Sequence, residues 1–170
     1  MREIYLAGSV PKGDKDQEAF VNWRIKWGEA LTKIFKDAQI IDPYDKNLDE
    51  RDPLLVIGTD FGYIKKASLV VINAQEKIGA GTAMEMVVAK YFKKLVVTIL
   101  PKNTHHRRSN VIFHGKLIED WIHPFILAFS DFIVESVEEI EGIKEQVNNC
   151  KVKDITVIDQ AIKYAALNKQ

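Results

Sequence analysis

Apolar and polar positions along the chain follow two periods, and the β-branched runs Leu69-Val70-Val71-Ile72 and Leu95-Val96-Val97-Thr98-Ile99-Leu100 stand out most clearly. Between them a glycine-rich link, Gly79-Ala80-Gly81-Thr82, opens a helical pattern that carries Glu85. Strand, turn, helix and strand form a βαβ unit, whose crossover returns the chain to the same end of the sheet, so the two strands run parallel. Glu85 is expected in the first turn of that helix, beside the glycine loop and at the carboxyl end of a buried strand, which is where open α/β sheets place their ligands. A carboxylate there also complements the helix dipole, so Glu85 taken alone has two readings.

The rest of the pattern supplies the neighbours. Ile4 to Ala7 reads as a short central strand that exits into Gly8-Ser9-Val10-Pro11-Lys12-Gly13. There Gly8 permits close backbone approach, Ser9 offers a hydroxyl, and Lys12 and Gly13 suit an anion, a plain turn being the alternative. From Asp14 onward the spacing of Phe20, Trp23, Trp27, Leu31, Ile34 and Phe35 predicts one helix packed on the sheet, with the tryptophans in the core. Ala38 to Ile41 predicts a second strand, Asp42-Pro43-Tyr44-Asp45 a loop at the same edge, and Lys46 to Pro53 a mobile polar loop able to close over a site. A short helix is expected before the third strand, with Asp60 near its start as a capping or dipole-complementing residue.

Strands three and four are expected at Ser68 to Asn73 and Leu95 to Leu100. The stretch from Pro101 to Asn110 is the most polar and basic of the chain, and its Arg107, Arg108 and Ser109 suit a phosphate, although a basic loop can equally be solvated surface. Val111 to Phe129 is amphipathic, and its first half is predicted helical. Asp131 to Val134 gives a fifth strand, Ser136-Val137-Glu138-Glu139 the form of a capping box with a helix through Val147, and Asp154 to Asn168 a closing helix. The expected fold is α/β: a doubly wound five-stranded parallel sheet, flavodoxin-like in order 2-1-3-4-5, with helices on both faces and one domain over residues 1–170.

Composition narrows the function classes. Hydrophobic residues at 46% and charged residues at 28% describe an ordinary globular chain. Basic and acidic residues both number 24, so no basic field favours a polynucleotide partner. The chain shows no apolar leader and no run of membrane-spanning length, which makes the cytoplasm the expected compartment and a membrane partner unexpected. Cys150 is the single cysteine and cannot form an internal disulfide, and no His/Cys spacing suggests a metal.

Three dispersed motifs carry more than the fold does. Ile4-Tyr5-Leu6-Ala7-Gly8-Ser9, Asp60 ahead of Ile64-Lys65-Lys66-Ala67-Ser68-Leu69-Val70-Val71, and Gly81-Thr82-Ala83-Met84-Glu85 followed by Ala89 together resemble the nucleoside 2-deoxyribosyltransferase superfamily, which includes the 2′-deoxynucleoside 5′-phosphate N-hydrolases. The similarity runs from Arg2 to Phe113. It implies cleavage of the N-glycosidic bond between a base and (deoxy)ribose with neither metal nor organic cofactor. On that resemblance Glu85 matches the nucleophile that forms a glycosyl ester, and Asp60 the aspartate that assists proton transfer to the leaving base. A carboxylate at a helix N-terminus is expected to stay ionised, as a nucleophile must, while a second carboxyl group donates a proton. Tyr5, Gly8, Ser9, Gly79, Gly81 and Thr82 fall among the implied substrate contacts, and Arg107, Arg108, Ser109 and Asn110 on the phosphate side.

The resemblance also implies a homodimer or larger assembly with shared sites, Ser109 reaching the neighbour's 5′-phosphate and the apolar residues around Ile112, Phe113, Trp121 and Phe125 forming the surface. Departures from the pattern bear on the branch. Gly79-Ala80 stand where transferases typically carry an aspartate, which favours hydrolysis, whereas Gly81-Thr82-Ala83 is closer to the transferases. The first loop lacks the hydrolases' arginine, and Ser68 replaces an acidic residue. The expected activity is hydrolysis of a (deoxy)nucleoside or its 5′-monophosphate; transfer of the sugar to another base and a non-catalytic nucleotide-binding sensor are the alternatives.

Overall fold

The computed structural model of the chain describes residues 2–168. In chain order the elements are β1 (Arg2–Ala7), α1 (Asp14–Ala19), α2 (Trp23–Ile34), β2 (Ala38–Ile41), α3 (Pro53–Lys66), β3 (Leu69–Asn73), α4 (Ala80–Tyr91) and β4 (Leu95–Ile99). They continue with β5 (Arg107–Phe113), β6 (Lys116–Ile122), α5 (Pro124–Phe129), β7 (Phe132–Val134), a 3-10 helix (Glu138–Ile143), α6 (Lys144–Asn149) and α7 (Val157–Asn168). The main sheet is parallel throughout, in the order β2-β1-β3-β4-β7, so the five expected sheet strands and their order are present.

Strand periodicity divides the core into two layers. Ile4, Leu6, Leu69, Val71, Val97 and Ile99 face one side, against Trp27, Leu31 and Ile34 of α2, Ile140 of the 3-10 helix and Val147 of α6. Tyr5, Ala7, Val70, Ile72 and Val96 face the other, against Ile64 of α3, Met86 and Ala89 of α4, and Ile126 and Phe129 of α5. Each fully buried aliphatic side chain of this kind contributes about 1.5–3 kcal/mol, and both layers converge on β1 and β3. The order reverses between those two strands, which opens a crevice at their carboxyl ends.

Several local expectations give way to better-satisfied alternatives. The single helix expected from Asp14 to Phe35 is two, because the Asn22 side chain accepts from the Arg24 N–H at 3.2 Å and starts α2 afresh. The polar loop before Asp60 ends in a helix start: Asp52 accepts from the N–H groups of Leu54 and Leu55, both at 3.0 Å, with Pro53 at the first helical position. Asp60 therefore sits in the middle of α3 and caps nothing. Glu85 lies in the second turn of α4, and Gly81 and Thr82, expected in a loop, belong to its first turn.

The amphipathic stretch after Val111 is a β-hairpin, β5 against β6, and helix begins only at Pro124. Its two-residue turn, His114-Gly115, holds both residues at positive φ (51° and 74°), the geometry that a tight hairpin requires. The capping box at Ser136 does not form; the Glu139 carboxylate instead accepts from the Glu135 N–H at 2.9 Å, and the segment is a 3-10 helix running into α6. The closing helix starts at Val157 rather than Asp154.

Candidate active site

A cavity of about 370 Å³ opens at the carboxyl ends of β1 and β3. Gly8, Ser9 and Lys12 from the first loop line it, with Asp60 from α3 and Gly79, Ala80, Gly81, Thr82 and Glu85 from the start of α4. Tyr44, Asp45, Leu48 and Glu50 form its outer wall, and Lys77 stands beside Gly79. The structure thus gathers Glu85, Asp60, Gly8, Ser9, Gly79, Gly81 and Thr82 around one space, although they are widely separated in sequence.

Glu85 is 7% exposed and accepts a hydrogen bond from the Tyr5 hydroxyl at 2.5 Å. Tyr5, fully buried in β1, is thus a partner of Glu85 rather than a cavity-lining residue. Burial pushes the Glu85 carboxyl up to about 7; the Tyr5 bond draws it back, the Asp60 charge raises it, and Arg24 and Thr82 lower it. The expectation of a freely ionised carboxylate at a helix terminus is corrected here, because one turn further into α4 desolvation outweighs the dipole. The Asp60 carboxyl is also raised, by burial, with the Arg24 charge opposing. The two carboxyl groups therefore face one cavity, each with a heightened hold on its proton.

Gly8 earns its place by contact: a Cβ there would lie 2.7 Å from the Trp23 ring and 3.0 Å from Cβ of Asn73. The close approach is to the protein's own side chains. A Cβ at Gly79 or Gly81 would meet nothing within 4 Å, so these glycines leave open space at the head of α4.

Arg107, Arg108, Ser109 and Asn110 are not among the residues lining this cavity; they lie on the hairpin strand β5. Arg107 forks onto Asp120 of β6 at 2.8 and 2.7 Å and donates to the Leu100 carbonyl at 3.0 Å, so its charge is engaged within the chain. Of the adjacent histidines, His106 is buried and its Nε2 accepts from the Ile78 N–H at 3.1 Å, which fixes the connection leading to Gly79. Burial and the neighbouring His105, His123 and Lys77 push its pKa down to about 4, so the ring is neutral as that acceptor role demands.

Arg24 is the residue that sequence reading missed. It is 1% exposed and lines the cavity, and it donates from Nε to the Leu6 carbonyl at 3.0 Å, from Nη1 to Ser9 at 3.2 Å and from Nη2 to Gly8 at 2.8 Å. A signal was present: Arg24 falls four residues after Phe20 and three before Trp27, a charge set in the middle of the apolar stripe.

The five-stranded parallel sheet and its helices give the chain the α/β fold of a solved 2-deoxyribosyltransferase. The chain superposes on a 2-deoxyribosyltransferase from the psychrotolerant bacterium Bacillus psychrosaccharolyticus with a TM-score of 0.54, at 16% identity over 89% of this chain and 98% of that one. Two further solved structures are similar at 16% identity: a CMP N-glycosidase from Clostridium botulinum (85% of this chain, 98% of that one, TM-score 0.47) and a 2-deoxyribosyltransferase from Leishmania mexicana (100% of both chains, TM-score 0.49). No protein-family model matches the sequence, and no match is found among curated proteins.

Proposed function

We propose that the chain is an enzyme that cleaves the N-glycosidic bond of a (deoxy)nucleoside or its 5′-monophosphate by hydrolysis through a glycosyl ester on Glu85. The observation that carries this reading is the buried Glu85 carboxylate, aligned by the Tyr5 hydroxyl at 2.5 Å in a cavity that also holds Asp60. An ionised Glu85 oxygen attacks the anomeric carbon as the bond to the base breaks, and the bonding pair leaves with the base nitrogen. Asp60, whose carboxyl is raised by burial, delivers the proton to that nitrogen. Water then hydrolyses the ester, restores the Glu85 carboxylate and returns a proton to Asp60. The negative charge of Glu85 also steadies the oxocarbenium-like transition state.

Lys12 and Lys77, which both line the cavity, supply positive charge suited to a 5′-phosphate beside Ser9. Arg108, Ser109 and Asn110 reach a phosphate on this reading only from a neighbouring subunit of a homodimer or larger assembly. Transfer of the sugar to a second base is the other reading, favoured by the fold shared with the 2-deoxyribosyltransferase from Bacillus psychrosaccharolyticus. Chromatography of nucleosides and 5′-monophosphates incubated with the protein, with and without an acceptor base, separates the two. Hydrolysis gives free base and free sugar, or the sugar 5-phosphate from a monophosphate, in both arms; transfer gives a new nucleoside or nucleotide only when acceptor is present. Nucleotide that binds and stays intact for hours contradicts both.

A further inference from the structure

The cavity has two unlike walls. β2 and β3 flank β1 in the sheet, so the connection after β2 and the start of α4 after β3 lie on opposite sides of the first loop. The α4 side brings Glu85, with Lys77 ahead of the helix; the β2 side brings Tyr44, Asp45, Leu48 and Glu50. Val56 and Asp60, one helical turn apart on α3, line the same cavity, Val56 nearer the helix end into which the β2 connection runs. That connection is held in place. Asp42 accepts from the Tyr44 N–H at 2.9 Å and from the Asn22 side-chain amide at 2.6 Å, and the Tyr44 ring meets Phe20 edge-on with centroids 5.0 Å apart. Asp45 accepts from the Asn47 N–H through Oδ1 at 2.8 Å, which leaves its Oδ2, like both oxygens of Glu50, without a hydrogen-bond or ion-pair partner among the described residues. The side chains offered to the cavity from this connection are thus an aromatic ring, an aliphatic group and two carboxylates, with the Tyr44 hydroxyl as the one side-chain donor.

We propose that the β2 wall sets base specificity, and that Asp45 and Glu50 select substrates whose base carries an exocyclic amino group. The inference rests on the reading of Glu85 and Asp60 as the reacting pair. Attack by Glu85 on the anomeric carbon expels the base from the opposite face of the sugar, and Asp60 must reach the leaving nitrogen. The base therefore extends past Asp60 toward Val56 and the β2 connection, away from Lys77 and the head of α4. Tyr44 and Leu48 supply apolar contact for a flat ring there, and its outer edge meets the two carboxylates. An ionised carboxylate only accepts hydrogen bonds. The amino group of cytosine or adenine donates to it. The oxo group that uracil or hypoxanthine carries at the corresponding position is a second acceptor, which meets like charge and gains no donor in exchange.

The test uses two substrate pairs that differ only in amino against oxo, cytosine with uracil and adenine with hypoxanthine, each as nucleoside and 5′-monophosphate. The kcat/KM for base release is measured for the unchanged protein and for Asp45→Asn with Glu50→Gln, and calorimetry gives the Kd of each compound on Glu85→Gln, with and without the same two changes. Asparagine keeps the acceptor that the Asp45 turn needs, and circular dichroism establishes that each variant is folded. The unchanged protein is expected to favour the amino member of each pair roughly tenfold or more in kcat/KM and in Kd. The double variant, whose amides donate as well as accept, brings both ratios close to one. Should the double variant not fold, the two single variants decide by the same ratios. Equal values within the pairs overturn the inference. A ratio that the substitutions leave in place overturns it as well, since a merely structural role for this wall would lower both members of a pair alike. The Kd ratio needs no turnover, so a protein that releases base from none of these compounds fails the reading of Glu85 separately from this one.

Discussion

Glu85 sets a conflict at the residue scale between stability and chemistry. An ordinary glutamate titrates at 4.5 and Glu85 at about 7, so between those values the folded protein binds more protons than the unfolded chain. Stability contributed at this position is complete below 4.5 and is lost as pH rises through about 7, on the order of 3 kcal/mol in all. Glu85→Gln, which keeps an acceptor for Tyr5, is therefore expected to raise Tm by several degrees at pH 8 and to leave it nearly unchanged at pH 4, by thermal melts in matched buffers. Tyr5→Phe removes the donor that favours the ionised form. That substitution should lift the low-pH limb of base release by roughly one unit, with kcat/KM falling about tenfold at pH 7.

Gly8 and Asp131 show what single positions hold together at the scale of elements. Gly8→Ala brings a Cβ against Trp23 and Asn73 and should cost about 1–3 kcal/mol in denaturant titrations, since it must shift α2 or the end of β3. Asp131, just ahead of β7, pairs with the fully buried Lys90 of α4 and accepts from the N–H groups of Val96 and Lys153 at 2.7 and 2.8 Å. Asp131→Asn leaves the Lys90 charge uncompensated and is expected to cost about 3–5 kcal/mol by the same measurement. The sheet was legible in the sequence because its strands are buried on both faces and read as unbroken apolar runs at Leu69 and Leu95. Boundaries set by side-chain caps were harder to see. The Asn22 break depends on one side-chain hydrogen bond and the Asp52-Pro53 start on two, and the periodicity of Phe20, Trp23 and Trp27 runs straight across the first of these boundaries.

The whole molecule joins a well-packed α/β body to a projecting hairpin and a closing helix that bury little. Ile112, Phe113 and Leu117 of the hairpin, Phe125 of α5, and Ile162, Tyr164 and Leu167 of α7 are exposed in the single chain. The hairpin escaped sequence reading because its apolar residues come in adjacent groups, Val111-Ile112-Phe113, Leu117-Ile118 and Trp121-Ile122, rather than alternating with polar ones, and His114-Gly115 is a quiet turn signal. For the site, Glu85 and Asp60 stood out in the sequence and the structure brings both to one cavity, while Arg24 was hidden in a helix stripe and Arg107 to Asn110 are not among the residues that line the cavity. The proposal for the phosphate side includes a homodimer or larger assembly in which the neighbour's hairpin brings Ser109 to the cavity. Sedimentation velocity should show it at micromolar concentration, and a monomer would remove Ser109 from the site.

The central claim concerns Glu85, and the release of free base tests it most directly. The unchanged protein and Glu85→Gln are each incubated with nucleosides and nucleoside 5′-monophosphates, and the free base is measured by chromatography. The account predicts base release by the unchanged protein that drops roughly 10³-fold or more in a folded Glu85→Gln. Base release by Glu85→Gln at the unchanged rate would contradict it.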